Sequence, residues 1–360
     1  MASAPAEKPY RLSVLDLSPV PSGSSSRQAL QNTLDLARLA EDLGYWRYWL
    51  AEHHNTPLIA SSAPEVMIGH VADVTRRIRV GSGGVMLPNQ APLRVAESFR
   101  VLEALHPGRV DLGIGRAPGT NPITTLALRR SREAMGADDF PVRLEELLGF
   151  LDGEFPENHP FQRIRAMPDD VPMPEVWLLG TSDFSAQLAA MLGLRYAYAH
   201  HIVPESAVTS LRIYRENFKP SAHLAAPETL LCMSVLCAET DQRAAELARP
   251  MELTLLRFRQ GRMSRFPSVA EATGYPYTPE ERQVIALSRQ RFFAGSPARV
   301  REHITTLADR AGVSEIMITT MAHDHADRRR SYELLAEEFA LPRGVEESVA
   351  RNTQPAPEST

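Results

Sequence analysis

Two short apolar runs between Ile78 and Thr120 each end in glycines, and this tract constrains the fold more than any other part of the sequence. The first run ends at Gly83-Gly84 and the second ends at Gly113-Ile-Gly-Arg116. The segment between them, Leu93 to Leu105, has the spacing of an amphipathic helix. Glycine at a strand end permits unusual backbone angles and close approach of a ligand, and a guanidinium suits a phosphate. The tract therefore predicts a parallel α/β protein that binds a flat, phosphorylated cofactor.

The same alternation of strand and helix continues along the chain. Strand-like runs occupy positions 12–17, 48–51, 78–86, 110–114, 176–179, 196–199, 229–238 and 315–319, and most are followed by a segment of helical periodicity. Eight strand–helix units fit a (β/α)8 TIM barrel. A doubly wound open sheet is the competing architecture.

The pattern predicts a single domain over residues 1–342. A long insertion at about 257–295 separates the seventh helix from the last strand–helix unit. Its mixture of Gly, Pro, Arg and Phe is typical of a mobile lid over the strand ends; a surface excursion without function is the alternative. Residues 343–360 are polar and contain proline, and we expect them to form a disordered tail.

Composition excludes several classes of partner. The chain has 39 Lys and Arg against 44 Asp and Glu, which disfavours nucleic acid because nucleic-acid-binding faces are usually basic. The spacing of the two cysteines, Cys232 and Cys237, fits neither a disulfide framework nor a zinc motif, and it indicates free thiols in a reducing compartment. The N-terminus lacks the apolar core of a signal peptide and no run reaches the length of a membrane span. We therefore expect a cytoplasmic protein without a membrane partner.

Polar and glycine residues follow five of the predicted strands directly. In a barrel the C-terminal ends of the strands meet at one rim, where catalytic groups lie. The residues that this rule brings together are Glu52, His53, His54, Gly83, Gly84, Arg116, Thr181, Ser182, Ser185, His200 and His201. This agreement across five units predicts the functional site more strongly than any single motif does.

The hydroxyl residues after the fifth strand have two interpretations. Free N–H groups at a helix N-terminus attract phosphate, and Arg116 is expected one rim position away. Ser182 can equally be an ordinary N-cap that satisfies its own helix. The sequence leaves both open.

Two other chemistries receive less support. The run from Gly113 to Gly119 resembles a dinucleotide fingerprint, but its spacing is wrong and Pro118 interrupts it. A metal site would use His53 and His54 with the later His323-Asp-His325 run. Adjacent residues on a continuing strand point to opposite faces, which weakens that metal site, and we assign no metal.

Several segments together carry a family resemblance. They read LSVLDLSP (12–19), RYWLAEHH (47–54), SSAPEVMIGHVA (61–72), GSGGVMLPNQAPLRVAE (81–97), HPGRVDLGIGRAPGT (106–120), WLLGTSDFSAQLAAMLGL (177–194) and SYELLAEEF (331–339). Together they resemble the bacterial luciferase-like flavin-dependent monooxygenases, in particular the single-chain alkanal monooxygenase-like group, over about residues 10–340. The resemblance implies a TIM barrel, usually a homodimer, that binds reduced FMN.

The resemblance also assigns roles to individual residues. Gly83 and Gly84 match a non-prolyl cis peptide that lies against the flavin ring, and His53 and His54 match the catalytic histidine and its neighbour. The matches to the phosphate-binding positions are Arg116, Thr181, Ser182 and Ser185. The light-emitting luciferase subunit has a reactive cysteine where this chain has Gly115, which puts efficient light emission in doubt.

The expected reaction follows from these matches. Reduced FMN would come from a separate flavin reductase, because the chain has no nicotinamide fingerprint, and oxygen would add to it to give a peroxyflavin. With His53 as general acid/base, the peroxyflavin would oxygenate an aldehyde, a ketone, an alkene or a secondary-metabolite (polyketide) intermediate. The alternatives are a deazaflavin-dependent oxidoreductase on the same fold, a metal-dependent TIM-barrel hydrolase and a flavin carrier without turnover.

Overall fold

The computed structural model describes residues 10–117, 120–130 and 139–343. Parallel strands at its centre are surrounded by helices. The strands are Arg11–Asp16 (β1), Arg47–Leu50 (β2), Arg79–Ser82 (β3), Val85–Met86 (β4), Val110–Gly115 (β5), Glu175–Gly180 (β6), Arg195–Ala199 (β7), Thr229–Cys237 (β8), Phe292–Gly295 (β9) and Glu315–Thr319 (β10).

The sheet closes on itself. Neighbouring strands pair in parallel from β1 through β2, β3, β5, β6 and β7 to β8. Strand β10 then pairs with both β8 and β1, in the register Met317 with Cys232 and Leu12 with Ile316. Within the described ranges, eight parallel strand positions complete the ring. This closure confirms the (β/α)8 TIM barrel and rules out the open sheet.

The helices of the described ranges cover the outside of the barrel. They are Ser26–Asp42 (α1), Pro64–Val74 (α2), Pro92–Leu105 (α3), Pro122–Arg129 (α4), Phe140–Asp152 (α5), Asp183–Met191 (α6), Ala207–Asn217 (α7), Asp241–Arg259 (α8), Val269–Gly274 (α9), Pro279–Ser288 (α10), Pro297–Ala311 (α11) and His325–Glu338 (α12). None of them combines the length and the apolar character that crossing a lipid bilayer requires.

Alternation along the strands separates two apolar layers. Odd-numbered residues of β1 and β2, such as Leu15 and Trp49, fill the barrel interior with Trp177 and Met317. Even-numbered residues of the same strands, such as Val14, pack outward beneath the helices. Because successive side chains of a strand point to opposite faces, both faces of each strand are buried, which explains why the strand sequences read as nearly continuous apolar runs.

The third predicted strand is interrupted. Residues 78–86 were expected as one element, but the structure contains β3 and β4 with Gly83 and Gly84 between them. The peptide bond between these two glycines is cis. Only β3 pairs with β2, whereas β4 pairs with the last residues of β5. The glycine pair therefore turns the chain at the barrel rim.

The insertion is more regular than its composition indicates. Helix α8 extends to Arg259 and the segment after it forms α9, α10 and β9, which pairs with the end of β8. Buried Phe266 attaches this segment to the rim by two backbone hydrogen bonds, one to Val20 and one from Ser22, and by packing on Leu58 and Met321. The insertion thus lies beside the C-terminal ends of β1, β2 and β10; its action as a lid stays a prediction.

Two further expectations concern the connection after the fourth predicted strand and the C-terminal tail. Helix α4 lies in the polar connection after the fourth predicted strand, where no helix was predicted. The expected disordered tail, beyond Arg343, lies outside the described residues, as does Pro118.

A buried ionic network closes the base of the barrel. The guanidinium of Arg47 contacts Asp111 at 2.8 Å, Glu315 at 2.8 Å and Glu175 at 3.0 Å, and Arg79 contacts Asp111 at 2.6 Å. All five residues begin or nearly begin their strands, at the end opposite the expected site. Despite the cost of burial, the two guanidinium groups hold the pKa of Asp111 below its ordinary value, so the carboxylate is charged at neutral pH.

Replacing Arg47 with methionine should destabilise the protein strongly. The change leaves Asp111 and Glu315 buried without their shared cation, which typically costs about 3–5 kcal/mol. Urea unfolding at pH 7 measures this loss. The exposed Arg38→Met on α1 is the control, with an expected change within about 0.5 kcal/mol.

The same variant should have a distinct pH dependence. Since the folded pKa of Asp111 is lowered in the wild type, its contribution is present above the ordinary aspartate pKa and is lost as the pH falls through the folded value. In Arg47→Met the carboxylates are protonated more readily, so the difference between the two proteins should shrink towards pH 4. If Arg47→Met lowers the free energy of unfolding by less than about 1 kcal/mol at pH 7, the assigned role of the network is wrong.

Candidate active site

The end of β2 supplies two histidines with different surroundings. The Nε2 atom of His54 lies 2.8 Å from Oε1 of Glu52, a side chain that is itself buried. The other carboxylate oxygen of Glu52 accepts a hydrogen bond from the backbone N–H of Met86 at 2.8 Å. Glu52 therefore connects the end of β2 to β4. The sequence analysis placed Glu52 at the rim but did not assign this role, because it depends on a contact across 34 residues.

His53 is half-buried, and one of its ring nitrogens has no hydrogen-bond partner among the residues that the structure describes. Its Nδ1 atom is buried and has no hydrogen-bond partner within the described part of the chain. Burial lowers its pKa to about 4, with a further contribution from the neighbouring His54. The imidazole is therefore neutral at pH 7, with a ring nitrogen available to a bound molecule. Buried polar atoms normally have partners, so this atom is a marker for a ligand site.

Gly84 needs to be glycine for steric reasons, and Gly83 has little room for a side chain. A Cβ atom on Gly84 would lie 2.7 Å from the carbonyl oxygen of Gly113 and 3.0 Å from Cδ2 of Leu179, and one on Gly83 would lie 2.5 Å from Cδ1 of Leu15. Real Cβ atoms do not approach a carbonyl oxygen this closely. The backbone of Gly84 can therefore lie this near Gly113 only because Gly84 has no side chain. The cis peptide expected from the resemblance is confirmed; its contact with a flavin stays a prediction.

The hydroxyl residues after β6 lie at the first turn of α6. Ser182 is the N-cap, and its carbonyl oxygen accepts a hydrogen bond from Oγ of Ser185 at 2.8 Å. Ser185 also lies 3.1 Å from the hydroxyl of Tyr196, and the carbonyl of Thr181 accepts a hydrogen bond from Tyr198 at 3.2 Å. The turn is therefore held in place by its own contacts. Capping and anion binding are compatible here, since the N-terminal N–H groups and the helix dipole still attract negative charge.

Arg116 lies beside this turn. Its guanidinium carbon is 4.7 Å from the ring centroid of Phe184, the second residue of α6, and the side chain is exposed. The pairing of Gly115 with Leu179 explains the proximity, because it places the ends of β5 and β6 side by side. The structure thus places Arg116 against the first turn of α6; a shared phosphate site with the hydroxyl residues stays a prediction.

An apolar cavity extends into the barrel below the rim. It is lined by Leu15, Trp49, Gly83, Leu179, Ala197, Tyr198, Ala199, His201, Leu230, Cys232 and Met317. The sequence analysis placed His201 at the rim but gave it no role, since no motif marks it. The cavity borders Gly83, one of the two glycines at the cis peptide.

The residues considered for a metal site have separate partners. Nε2 of His325 lies 2.8 Å from Asp35, and Nε2 of His323 lies 3.1 Å from the carbonyl oxygen of Ser22. The carboxylate of Asp16 pairs with Arg328 at 2.6 Å. No group of three or more potential metal ligands converges within the described residues.

These contacts define a class of site. A TIM barrel with an apolar cavity, a close glycine surface, an unpaired neutral histidine and an anion-attracting helix N-terminus is suited to a flat phosphorylated cofactor. Residues 10–315 match the family model of the luciferase-like monooxygenases. The chain belongs to the luciferase-like monooxygenase family.

Individual relatives agree with this assignment. A luciferase-like monooxygenase of Escherichia coli is 41% identical over 91% of this chain and 96% of its own length. The uncharacterized protein YceB of Bacillus subtilis is 44% identical over 91% and 99%. An N-acetyl-S-alkylcysteine monooxygenase of Bacillus subtilis is 36% identical over 91% and 97%.

Solved structures share the fold. Apo-MsnO8 is 40% identical, covers 93% of this chain and 99% of its own chain, and has a TM-score of 0.85. More distant barrels show the fold alone. They include the oxygenating constituent of a 3,6-diketocamphane monooxygenase in complex with FMN, at 21% identity and a TM-score of 0.67 over 92% of this chain and 98% of that one. An F420-dependent secondary alcohol dehydrogenase matches at 11% identity and a TM-score of 0.63, over 92% and 99%.

Gly84→Ala should destabilise the barrel rim. The new Cβ would meet the Gly113 carbonyl, which cannot move without breaking the pairing of β4 with β5, and such overpacking costs about 1–3 kcal/mol. Gly274→Ala, where nothing lies within 4 Å of the added atom, is the matched control and should have little effect. Chemical unfolding measures both. Equal stability of the two variants would contradict the steric argument.

Proposed function

We propose that this protein is an FMN-dependent monooxygenase that uses reduced FMN and oxygen to oxygenate a small organic substrate. The observation that carries the proposal is the buried, unpartnered Nδ1 of His53 at the rim that also contains the Gly83-Gly84 pair. Membership of the luciferase-like monooxygenase family supports the same conclusion. When bound, reduced FMN supplies the oxygen activation, and the chain's residues position it.

The cofactor phosphate would bind at the first turn of α6. Arg116 supplies positive charge, and Thr181, Ser182 and Ser185 supply hydroxyl and N–H donors. Charged hydrogen bonds are stronger than neutral ones, so we assign most of the phosphate affinity to Arg116. The flavin ring would lie against Gly83 and Gly84, where the lack of side chains lets it approach the backbone.

His53 would act as the general acid/base of the reaction. Its neutral imidazole at pH 7 can accept a proton at Nδ1 or hold a donor of the substrate there. His54, held by Glu52, would fix the chain direction after β2 and border the same rim. The apolar cavity would keep water away from the reacting groups.

The proposed reaction requires a source of reduced FMN and an organic substrate. Reduced FMN would come from a separate flavin reductase, and the protein would assemble as a homodimer. The substrate candidates are aldehydes, ketones and polyketide intermediates, to which the relative named for N-acetyl-S-alkylcysteine adds thioethers. A deazaflavin-dependent oxidoreductase is the second candidate, because an F420-dependent enzyme has the same fold.

Arg116→Ala should weaken the binding of FMN by about 5- to 100-fold, as loss of a charge-assisted hydrogen bond predicts. Riboflavin, which lacks the phosphate, should bind the variant and the wild type equally. Fluorescence titration of the flavin measures both affinities. Arg94→Ala, at an exposed position on α3, is the control. A similar loss for FMN and riboflavin would show that Arg116 does not act on the phosphate.

The reaction is tested by mixing the protein and reduced FMN with oxygenated buffer and each substrate candidate, and by measuring oxygenated product. His53→Asn should lower product formation about 10²- to 10⁴-fold, whereas the exposed His70→Asn should not. Because the pKa of His53 is about 4, its neutral form predominates above that pH. Wild-type activity should therefore fall only below about pH 5.

Two outcomes would contradict the proposal. Oxidation of reduced FMN at the rate seen without protein, with no product from any candidate, would remove the monooxygenase function. Hydride transfer from a reduced deazaflavin without oxygen consumption would favour the second candidate.

A further inference from the structure

His201, the second residue after β7, lines the apolar cavity together with Gly83, Cys232 and Met317. Its Nδ1 atom lies 3.4 Å from the carbonyl oxygen of Cys232, and its backbone N–H donates to the same oxygen at 3.4 Å. Strand β8 thus fixes both the main chain and the ring of this histidine at the cavity wall.

The contact with Cys232 favours one tautomer of the ring. A carbonyl oxygen can only accept a hydrogen bond, so the proton of the neutral ring is on Nδ1. The Nε2 atom then has a free lone pair, and no hydrogen-bond partner for it exists among the described residues. Burial lowers the pKa of His201 to about 4, and the Cys232 contact offsets this while His200 and His53 add to it. The ring is therefore a neutral acceptor at pH 7.

The surroundings of this acceptor are apolar. The cavity lining contributes aliphatic, aromatic and sulfur-containing side chains such as Leu15, Leu230 and Met317. Two further histidines, His53 and His200, act on the ring, and burial lowers the pKa of both to about 4. An acceptor without a protein partner in the described ranges, at the wall of such a cavity, is open to a ligand that brings one donor.

We infer that His201 is a second ligand-binding histidine of the site, whose Nε2 accepts a hydrogen bond from one N–H or O–H group at the edge of an otherwise apolar bound molecule. This inference rests on the proposed function for the identity of that molecule. The donor belongs either to the flavin ring or to the organic substrate. In the second case the substrate class is narrowed to apolar compounds with a hydroxyl, amide or hydrated carbonyl group.

Nitrogen NMR of the ligand-free protein tests the tautomer first. The Nδ1 of His201 should have the shift of a protonated nitrogen and Nε2 that of an unprotonated nitrogen between pH 6 and 8, with the assignment made by comparison with His201→Gln. The reverse pattern, or a charged ring in this range, would overturn the inference. This measurement does not depend on the proposed function.

Binding to two probes then identifies the donor. Oxidised FMN offers a ring N–H, and hexan-1-ol offers an O–H on an apolar chain, with hexyl methyl ether as the matched probe that has no donor. Either FMN or hexan-1-ol should change the chemical shift of Nε2 of His201, and the ether should not. If neither FMN nor hexan-1-ol shifts Nε2, the inference fails even where FMN binding itself is intact.

Two variants separate the acceptor from the structural contact. His201→Asn keeps a polar group near the Nδ1 position but has no atom at Nε2. It should lower the affinity for the probe that changed the Nε2 resonance by about 10-fold or more. His201→Gln restores an acceptor near Nε2 and should recover most of that affinity. His223→Asn, on the exposed Asp152 pair, is the control. Equal loss in the Asn and Gln variants, with unfolding unchanged, would show that Nε2 binds nothing.

Discussion

The buried guanidinium of Arg47 is the interaction on which the rest of the barrel depends. It contacts carboxylates from the starts of β5, β6 and β10, so one side chain joins four of the strands that form the closed sheet. Burial of these charges is favourable only because each has a partner. With the base closed in this way, the interior above it is filled by Trp49 and Trp177. The polar groups of the proposed site lie at the other ends of the strands, away from this network.

At the rim, burial keeps ionisable groups neutral, whereas at the base the buried groups are charged and paired. His53 and His201 have no carboxylate partner among the described residues, so the loss of solvation on burial keeps both imidazoles neutral. Arg47 stays charged in spite of burial because carboxylates pair with it. Neutral rings with an open nitrogen can exchange a proton or accept a hydrogen bond at physiological pH. His54 differs because Glu52 lies 2.8 Å away. The two ends of the barrel thus differ in charge: paired ions lie at the base, and neutral imidazoles lie at the rim where this fold usually binds ligands.

Much of the fold was accessible from the sequence, for identifiable reasons. Strand β10 was predicted with its observed bounds, since an apolar run with clear boundaries has little ambiguity. The break at Gly83 was not predicted from periodicity, because both halves are apolar and only the contact with β5 separates them. Helix α4 and the helices of the insertion were missed, because the polar connection and the Gly- and Pro-containing insertion indicated irregular structure from their composition.

The sequence by itself determined the alternation of strand and helix, the glycines at strand ends and the set of polar residues placed at one rim. These follow from local properties: side-chain periodicity, backbone freedom and chain order. Only the tertiary structure decided which of those residues act together. The partner of Glu52, the unsatisfied nitrogen of His53 and the tautomer of His201 depend on atoms far apart in the chain. Burial and pairing in three dimensions set the charge of each group, and no local pattern encodes them.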